Sequence, residues 1–307
     1  MTTGQRFRVR AHAKINLVLR VGDAQPDGYH PLQTVFQSLA LHDTLSVTVR
    51  RGPFALTCSD PGVPVDDRNL VTRAARQLWQ ALGRSGEPRN VAVDIAKHIP
   101  MQAGLGGGSS NAAAALAALA RVWQPRGRAV DLAAIGARIG ADVPYFFVGG
   151  TALGLARGDD LYPLEDLPAS WVVLGFPGVG VSTADAYRWF DEDRSRQAGP
   201  PDSRASTIDA WRGRRLEVMN DLEAPVSRRH GEIPRIRAVL AARGARAAAM
   251  TGSGSAVFGL CDSRALAERA ARAAAEAGFI ALITRTVDRR TCHRVHFSFA
   301  SSSPRHA

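Results

Sequence analysis

The sequence predicts an α+β protein of two domains. Helical and strand periodicities mix along the chain without the strict alternation of a doubly wound sheet. The 307 residues exceed what one core of ordinary size holds. A hydrophobic fraction of 45% with 22% charged residues fits a globular protein that needs no staples. Local composition changes between Asp159 and Leu167, which divides the chain into 1–160 and 161–307.

The elements follow in order. "RFRVRAHAKINLVLRV" (6–21) alternates as a strand, with Ile15, Leu17, Leu19 and Val21 on one face and Lys14, Asn16 and Val18 on the other. "GDAQPDGYHP" (22–31) is a run of turn formers. "DTLSVTVR" (43–50) and "VAVDI" (91–95) are further strands. "NLVTRAARQLWQAL" (69–82) has helical spacing and stops at Gly83. A second helix runs from Ser109 to Trp123 and stops near Pro125. "DLAAIGARIG" (131–140) is a third, with Asp131 as N-cap and Gly140 as its stop. A strand "WVVLGF" (171–176) and a short helix "STADAYRWF" (182–190) come next. The polar stretch "DEDRSRQAGPPDSRAS" makes a mobile surface loop around 192–208. Then come a strand "RAAAM" (246–250), a loop "TGSGS" (251–255) and a strand "AVFGL" (256–260). A helix "SRALAERAARAAAEAG" (263–278), a strand "FIALITRTV" (279–287) and a frayed tail "SSSPRHA" (301–307) complete the chain.

The net charge is +11, yet all of the 39 basic residues except Lys14 and Lys97 are arginines. They are scattered, without a basic run or interleaved aromatics. That is solvated charge, compatible with anionic small substrates and not the footprint of a nucleic-acid binder. Scarce lysine singles out Lys14 and Lys97, because a compact ammonium is not interchangeable with a guanidinium. Cys58, Cys261 and Cys292 are odd in number, far apart and without metal spacing, as expected of incidental thiols in a reducing compartment. No run approaches the ~18 apolar residues of a membrane span. The charged N-terminus lacks the apolar stretch of a secretory signal. A cytoplasmic protein without a membrane partner is expected.

"PMQAGLGGGSSNA" (100–112) concentrates glycine immediately before a helix. Glycines reach positive φ and let a backbone approach a ligand closely. A helix that begins there presents free N–H groups and a partial positive charge, which together cradle phosphate. Two familiar phosphate loops fail here. A Walker A loop needs Gly-Lys-Ser/Thr, but Ser109 follows Gly108. The dinucleotide fingerprint needs a third glycine where Ser109 stands, and the acidic residue of a second strand is missing.

What remains is a phosphate loop of another type, and here the sequence resembles the GHMP kinases. Their loop reads P-x-x-x-G-L-x-S-S-A; the extra glycines mark one branch of the family. "AKINLVL" (13–19), "PDGYHPLQTVFQSL" (26–39), "GADVPYFF" (140–147) and "MTGSGSAVF" (250–258) resemble the other motifs of that branch, in family order. The resemblance implies an N-terminal domain like ribosomal protein S5 domain 2, a ferredoxin-like C-terminal domain, and an active site in the cleft between them. It also implies ATP as phosphoryl donor, Mg²⁺, and an acceptor alcohol that carries a cytidine diphosphate group, phosphorylated on its 2-hydroxyl during isoprenoid precursor synthesis.

Site residues follow from the same resemblance. Asp142 would accept the proton of the attacking hydroxyl. Lys14 would stand beside it and lower the cost of the developing alkoxide. Asn16 shares Lys14's face and would contact the acceptor. Tyr29 would stack on the cytosine, His30 would hydrogen-bond to it, Tyr187 would stack on its other face, and Thr183 would be a nearby polar contact. Pro100, Met101, Gln102, Ala103, Gly104, Leu105, Gly106, Gly107 and Gly108 would hold the ATP phosphates. Ser109 and Ser110 would contact phosphate or Mg²⁺, act as N-caps, or do both. Asn69, Leu70 and Lys97 would surround the ATP base, although Lys97 also fits a solvated strand end. Nothing identifies the metal ligands or the oligomeric state.

Three rival readings compete with this one. A GHMP kinase for homoserine, mevalonate or galactose has no use for "DGYH". A basic RNA-binding protein on an S5-like scaffold would account for the charge, and a nicotinamide-dependent dehydrogenase for the glycines alone.

Overall fold

Two long strands joined by the turn at 22–31 begin the first layer. β1 (Arg6–Val21) and β2 (Leu32–Pro53) pair antiparallel. The computed structural model describes residues 3–125, 129–195 and 217–293. β3 (Ala55–Cys58) pairs parallel with β4 (Arg89–Ala96), and β4 pairs antiparallel with β2. Between them α1 (Leu70–Ala81) starts at Asn69, whose side chain caps it. α2 (Gly107–Trp123), α3 (Leu132–Ala137) and the short α4 (Tyr145–Val148) follow. The hairpin of β5 (Thr151–Leu155) and β6 (Asp160–Pro163) adds to β2 through β5. A division after residue 160 therefore falls inside β6.

One face of this sheet is covered by helices. Phe7, Leu45, Val47 and Ile95 pack against Val71, Leu78, Leu116 and Leu119. Each large side chain so buried contributes about 1.5–3 kcal/mol by leaving water. The alanine run of α2 combines the best helix former with a small cross-section, which lets a buried helix lie close to its neighbours.

The second domain begins with β7 (Trp171–Phe176) and α5 (Thr183–Ser195). β8 (Met219–Asn220) returns to pair parallel with β1. Then come α6 (Glu223–Arg229), α7 (Glu232–Ala242), β9 (Ala247–Met250), β10 (Val257–Cys261), α8 (Arg264–Glu276), β11 (Ile280–Arg285) and α9 (Arg289–Cys292). Its antiparallel sheet has the order β11-β7-β10-β9. With α7 and α8 as the crossovers this is the β-α-β-β-α-β arrangement expected of a ferredoxin-like domain. Val173 and Val257 pack on Ile233, Ile236 and Leu240. Val172, Leu174 and Phe258 lie on Ile15, Leu17 and Leu39 of the first sheet. Both faces are covered, which is why "WVVLGF" and "AVFGL" are unbroken apolar runs.

Some expectations shift. α2 starts two residues before Ser109, at Gly107. α5 continues through Ser195, where a loop was expected from Asp191. Charge pairing explains this, since Glu192 meets Arg188 and Arg229 and Asp193 meets Arg228 and Arg229. The rest of that polar stretch, and the tail, lie outside the described residues. No described helix is long and apolar enough to cross a membrane.

Candidate active site

Two irregularities in the β1–β2 ladder, between His12 and Lys14 and between Asn16 and Val18, flank Lys14 and Asn16. Bulges of this kind re-aim side chains. Val18 consequently joins Ile15 and Leu17 in one cluster, while Leu19 and Val21 enter another. The alternation expected through Val21 breaks there, but Lys14 and Asn16 keep a common side. Lys14 Nζ donates to Asn16 Oδ1 at 2.7 Å.

Lys14 is 3% exposed, and a buried ammonium needs a partner. Asp142 Oδ2 lies 3.4 Å away, with its side chain 34% exposed. The Phe36 ring lies 5.6 Å below the ammonium. Asn16 Nδ2 donates to Thr34 Oγ1 at 2.7 Å, and the Asn16 N–H donates to Thr251 Oγ1 at 3.0 Å. The "TGSGS" loop of the second domain thus rests on β1.

The glycine loop is strapped to the same strand, because the Lys14 N–H donates to the Leu105 carbonyl at 3.0 Å. Gly104 and Gly106 have φ of +71° and +70°. A Cβ on Gly104 would stand 2.0 Å from the Thr251 carbonyl oxygen, and one on Gly106 2.9 Å from the Phe146 ring. Gly107 is fixed by packing, since a Cβ there would meet Ile99 Cγ2 at 3.0 Å and Lys97 Nζ at 3.2 Å. Gly108 is open: among the described residues a Cβ there would have one neighbour within 4 Å, Leu70 Cδ1 at 3.7 Å. Gly106 occupies the N-cap of α2, and no side chain bonds to that end. Neither serine is the cap, because the left-handed backbone needed there suits glycine. Ser109 lines the cleft; Ser110 is buried and does not.

The cleft between the domains has a volume of about 590 Å³. It brings together Lys14, Asn16, Asp142, Asn69, Leu70, Lys97 and residues 100–109, with Thr183, Tyr187 and Ser253 from the second domain. Asn69 is already engaged: its Oδ1 accepts from the Val71 N–H and its Nδ2 donates to the Pro64 carbonyl. Lys97 is no solvated strand end, since its ammonium pairs with Asp43 Oδ2 at 2.8 Å and contacts the Ile99 carbonyl.

The aromatic side is split. Tyr187 lines the cleft, and burial together with the nearby Asp142 carboxylate raises its phenol pKa. His30 lies behind it, ring centroids 5.3 Å apart. The His30 ring nitrogens meet the Gly22 carbonyl at 2.9 Å and Asp191 Oδ2 at 3.3 Å. Tyr29 is 53% exposed under the Arg157 guanidinium, 3.7 Å from its ring centre. Neither Tyr29 nor His30 lines the cleft.

Sequence reasoning missed Thr34, Thr251, Ser253 and Asp43. The first three lie inside quoted motifs whose polar residues were not singled out. Asp43 opens a strand pattern, where an acid reads as a solvated end.

The chain matches the family descriptions "GHMP kinases N terminal domain" over residues 69–150 and "GHMP kinases C terminal" over residues 209–280. Proteins named 4-diphosphocytidyl-2-C-methyl-D-erythritol kinase are among its relatives. That of Anaeromyxobacter dehalogenans is 42% identical, covering 91% of this chain and 90% of the relative. That of Moorella thermoacetica is 40% identical, covering 90% and 98%. The crystal structure of a 4-(cytidine 5'-diphospho)-2C-methyl-D-erythritol kinase superposes with a TM-score of 0.74 at 36% identity, covering 91% of this chain and 98% of that one. A mevalonate kinase from L. major superposes with a TM-score of 0.67 at 14% identity, covering 94% and 97%, a likeness of fold alone.

Proposed function

The chain belongs to the GHMP kinase family, and from that premise we propose that it transfers the γ-phosphoryl group of ATP to the 2-hydroxyl of 4-diphosphocytidyl-2-C-methyl-D-erythritol. The names of its relatives at 40–42% identity support this acceptor over homoserine or mevalonate. The reaction serves isoprenoid precursor synthesis by the non-mevalonate route. ATP and a charged cytidylated acceptor are both intracellular solutes, which supports a cytoplasmic enzyme.

The Lys14–Asp142 pair, set in the cleft beside the uncapped start of α2, carries the reading. Phosphoryl transfer asks mainly for positioning and charge stabilisation. Amides at the start of α2 and along residues 101–108 hold the phosphates. Asn16 and Lys14 orient the acceptor hydroxyl. As its oxygen bonds to the γ-phosphorus, the bond to the β–γ bridging oxygen breaks and ADP leaves. The hydroxyl proton passes to Asp142, and the Lys14 ammonium stabilises the charge on the attacking oxygen. Tyr187 and Tyr29 stack on the cytosine, and Thr183 contributes a hydroxyl. The ring nitrogens of His30 are already engaged, which supports a place behind Tyr187 instead of direct hydrogen bonds to the base.

Among the described residues, no group of three His, Cys, Asp or Glu could hold a metal. Ser109, which lines the cleft at the start of α2, does offer a hydroxyl oxygen of the kind that Mg²⁺ takes alongside phosphate oxygens and water, and it would hold the ion. When bound, Mg²⁺ neutralises charge on the phosphates.

The test is ADP release from ATP in the presence of a panel of alcohols. Turnover is expected with the cytidylated tetrol. Preference for homoserine, mevalonate or galactose would contradict the reading.

A further inference from the structure

We propose that Asp43 is the positioning residue of the phosphate loop, holding both of its ends on one buried carboxylate. Asp43 lies in β2 and is 0% exposed. Its Oδ1 accepts the N–H groups of His98 at 2.6 Å and Ile99 at 2.8 Å. Its Oδ2 accepts Lys97 Nζ at 2.8 Å and Asn111 Nδ2 at 3.0 Å. These four donors nearly fill the acceptor capacity of a carboxylate. Three come from the segment that leads into the loop. The fourth comes from α2, just beyond it. The loop from Pro100 to Ser110 is therefore closed at its base by one side chain.

The arrangement is built for geometry more than for stability. Burying an ion pair gains little over packing apolar groups in the same space, so its value lies in what it fixes. Asn111 shows the priority. Its Oδ1 is buried without a hydrogen-bond partner. Flipping the amide would set that oxygen against the carboxylate, so the amide serves Asp43 and leaves its own oxygen unpaired.

Charge explains the need for lysine. A bare carboxylate behind a phosphate cradle would repel the nucleotide. The Lys97 ammonium neutralises it, touches the Ile99 carbonyl, and stands 3.2 Å from where a Cβ of Gly107 would sit. The pair thus supports the first residue of α2 from behind. Asp43 acts on ATP through the loop and has no part in holding the acceptor.

The proposal rests on the loop being the nucleotide site, and its test separates the two. KM for ATP and KM for the cytidylated acceptor are measured for Asp43→Asn in the full chain. The amide keeps the shape but turns a donor toward Lys97 or Asn111. We expect the ATP KM to rise about tenfold with the acceptor KM within twofold. Asn111→Ala, which cuts only the far tether, should give a smaller ATP-selective rise, and it carries the test should Asp43→Asn not fold. An ATP KM raised less than threefold in a folded Asp43→Asn protein, an equal rise in both constants, or failure of both variants to fold overturns the proposal. Loss of the loop reading itself would show separately, as unaltered ATP affinity when Gly108 is enlarged.

Discussion

Lys14 on β1 and Asp142 in the turn before α4 meet at 3.4 Å, though the chain runs through three further strands, three helices and the glycine loop between them. Asp142 reaches the pair because α3 ends before Gly140 and the chain turns back at Pro144.

That pairing makes the two residues non-additive. Lys14→Met keeps the length of the side chain and removes its charge. We expect kcat to fall by ~10²–10³, with smaller changes in KM for ATP. Combined with Asp142→Asn, the loss should be less than the two single losses together, because groups that act as a unit do not add. Additive losses in kcat would show that the residues act separately.

The loop glycines differ in kind, so their variants should separate. Gly104→Ala places a Cβ on a left-handed backbone against the Thr251 carbonyl. The backbone alone costs about 1–2 kcal/mol, and the contact adds to it. Its thermal midpoint should drop. Gly108→Val meets no protein atom closer than Leu70 at the Cβ. Its midpoint should hold while ATP affinity is lost. Full ATP affinity in a folded Gly108→Val protein would make the loop an ordinary turn.

For the cytosine, Tyr187→Ala and Tyr29→Ala should each weaken acceptor binding by ~1–3 kcal/mol, the usual loss for a base–aromatic stack. ATP affinity should barely change. Tyr187→Ala should also lower the thermal midpoint, since that ring packs on His30. Titration of the cytidylated acceptor decides, and wild-type affinity in both variants would move the base elsewhere.

Acid should weaken the fold through His12. Its Nδ1 meets the Leu39 carbonyl at 2.8 Å, and burial lowers its pKa to about 4. An unfolded histidine takes up its proton near pH ~6.5, so between that pH and ~4 the unfolded chain binds more protons. The contribution is complete above pH ~6.5 and declines as pH falls, by roughly 3 kcal/mol at pH ~4. Urea unfolding of His12→Gln should lose less stability over this window than the parent. Parallel losses would rule out His12 as the source.

Much of the site was legible because its motifs are local. Lysine scarcity pointed to Lys14 and Lys97 and glycine density to the loop, whereas Asp142 was singled out by the motif "GADVPYFF" through the family resemblance. Tertiary packing was hidden. The bulges around Lys14 and Asn16 depend on pairing with β2, so the phase change at Val18 could not be read from β1 alone. Asp43 merely opens the strand pattern "DTLSVTVR", and only the folded chain brings its four donors together. The continuation of α5 past Phe190 follows from arginines of α6, far along the chain. The hairpin of β5 and β6 and the helix α6 are too short for either period to stand out.

The central claim is that Asp142 takes the proton from the acceptor hydroxyl. Asp142→Asn keeps the shape of the side chain and removes its charge. The direct measurement is kcat for this variant with the cytidylated acceptor, alongside the Kd for ATP. The account predicts a kcat lower by ~10²–10⁴, the range for a positioned acid–base group, with Kd nearly unchanged. A kcat within a few-fold of the parent would contradict it and leave positioning alone to explain the transfer.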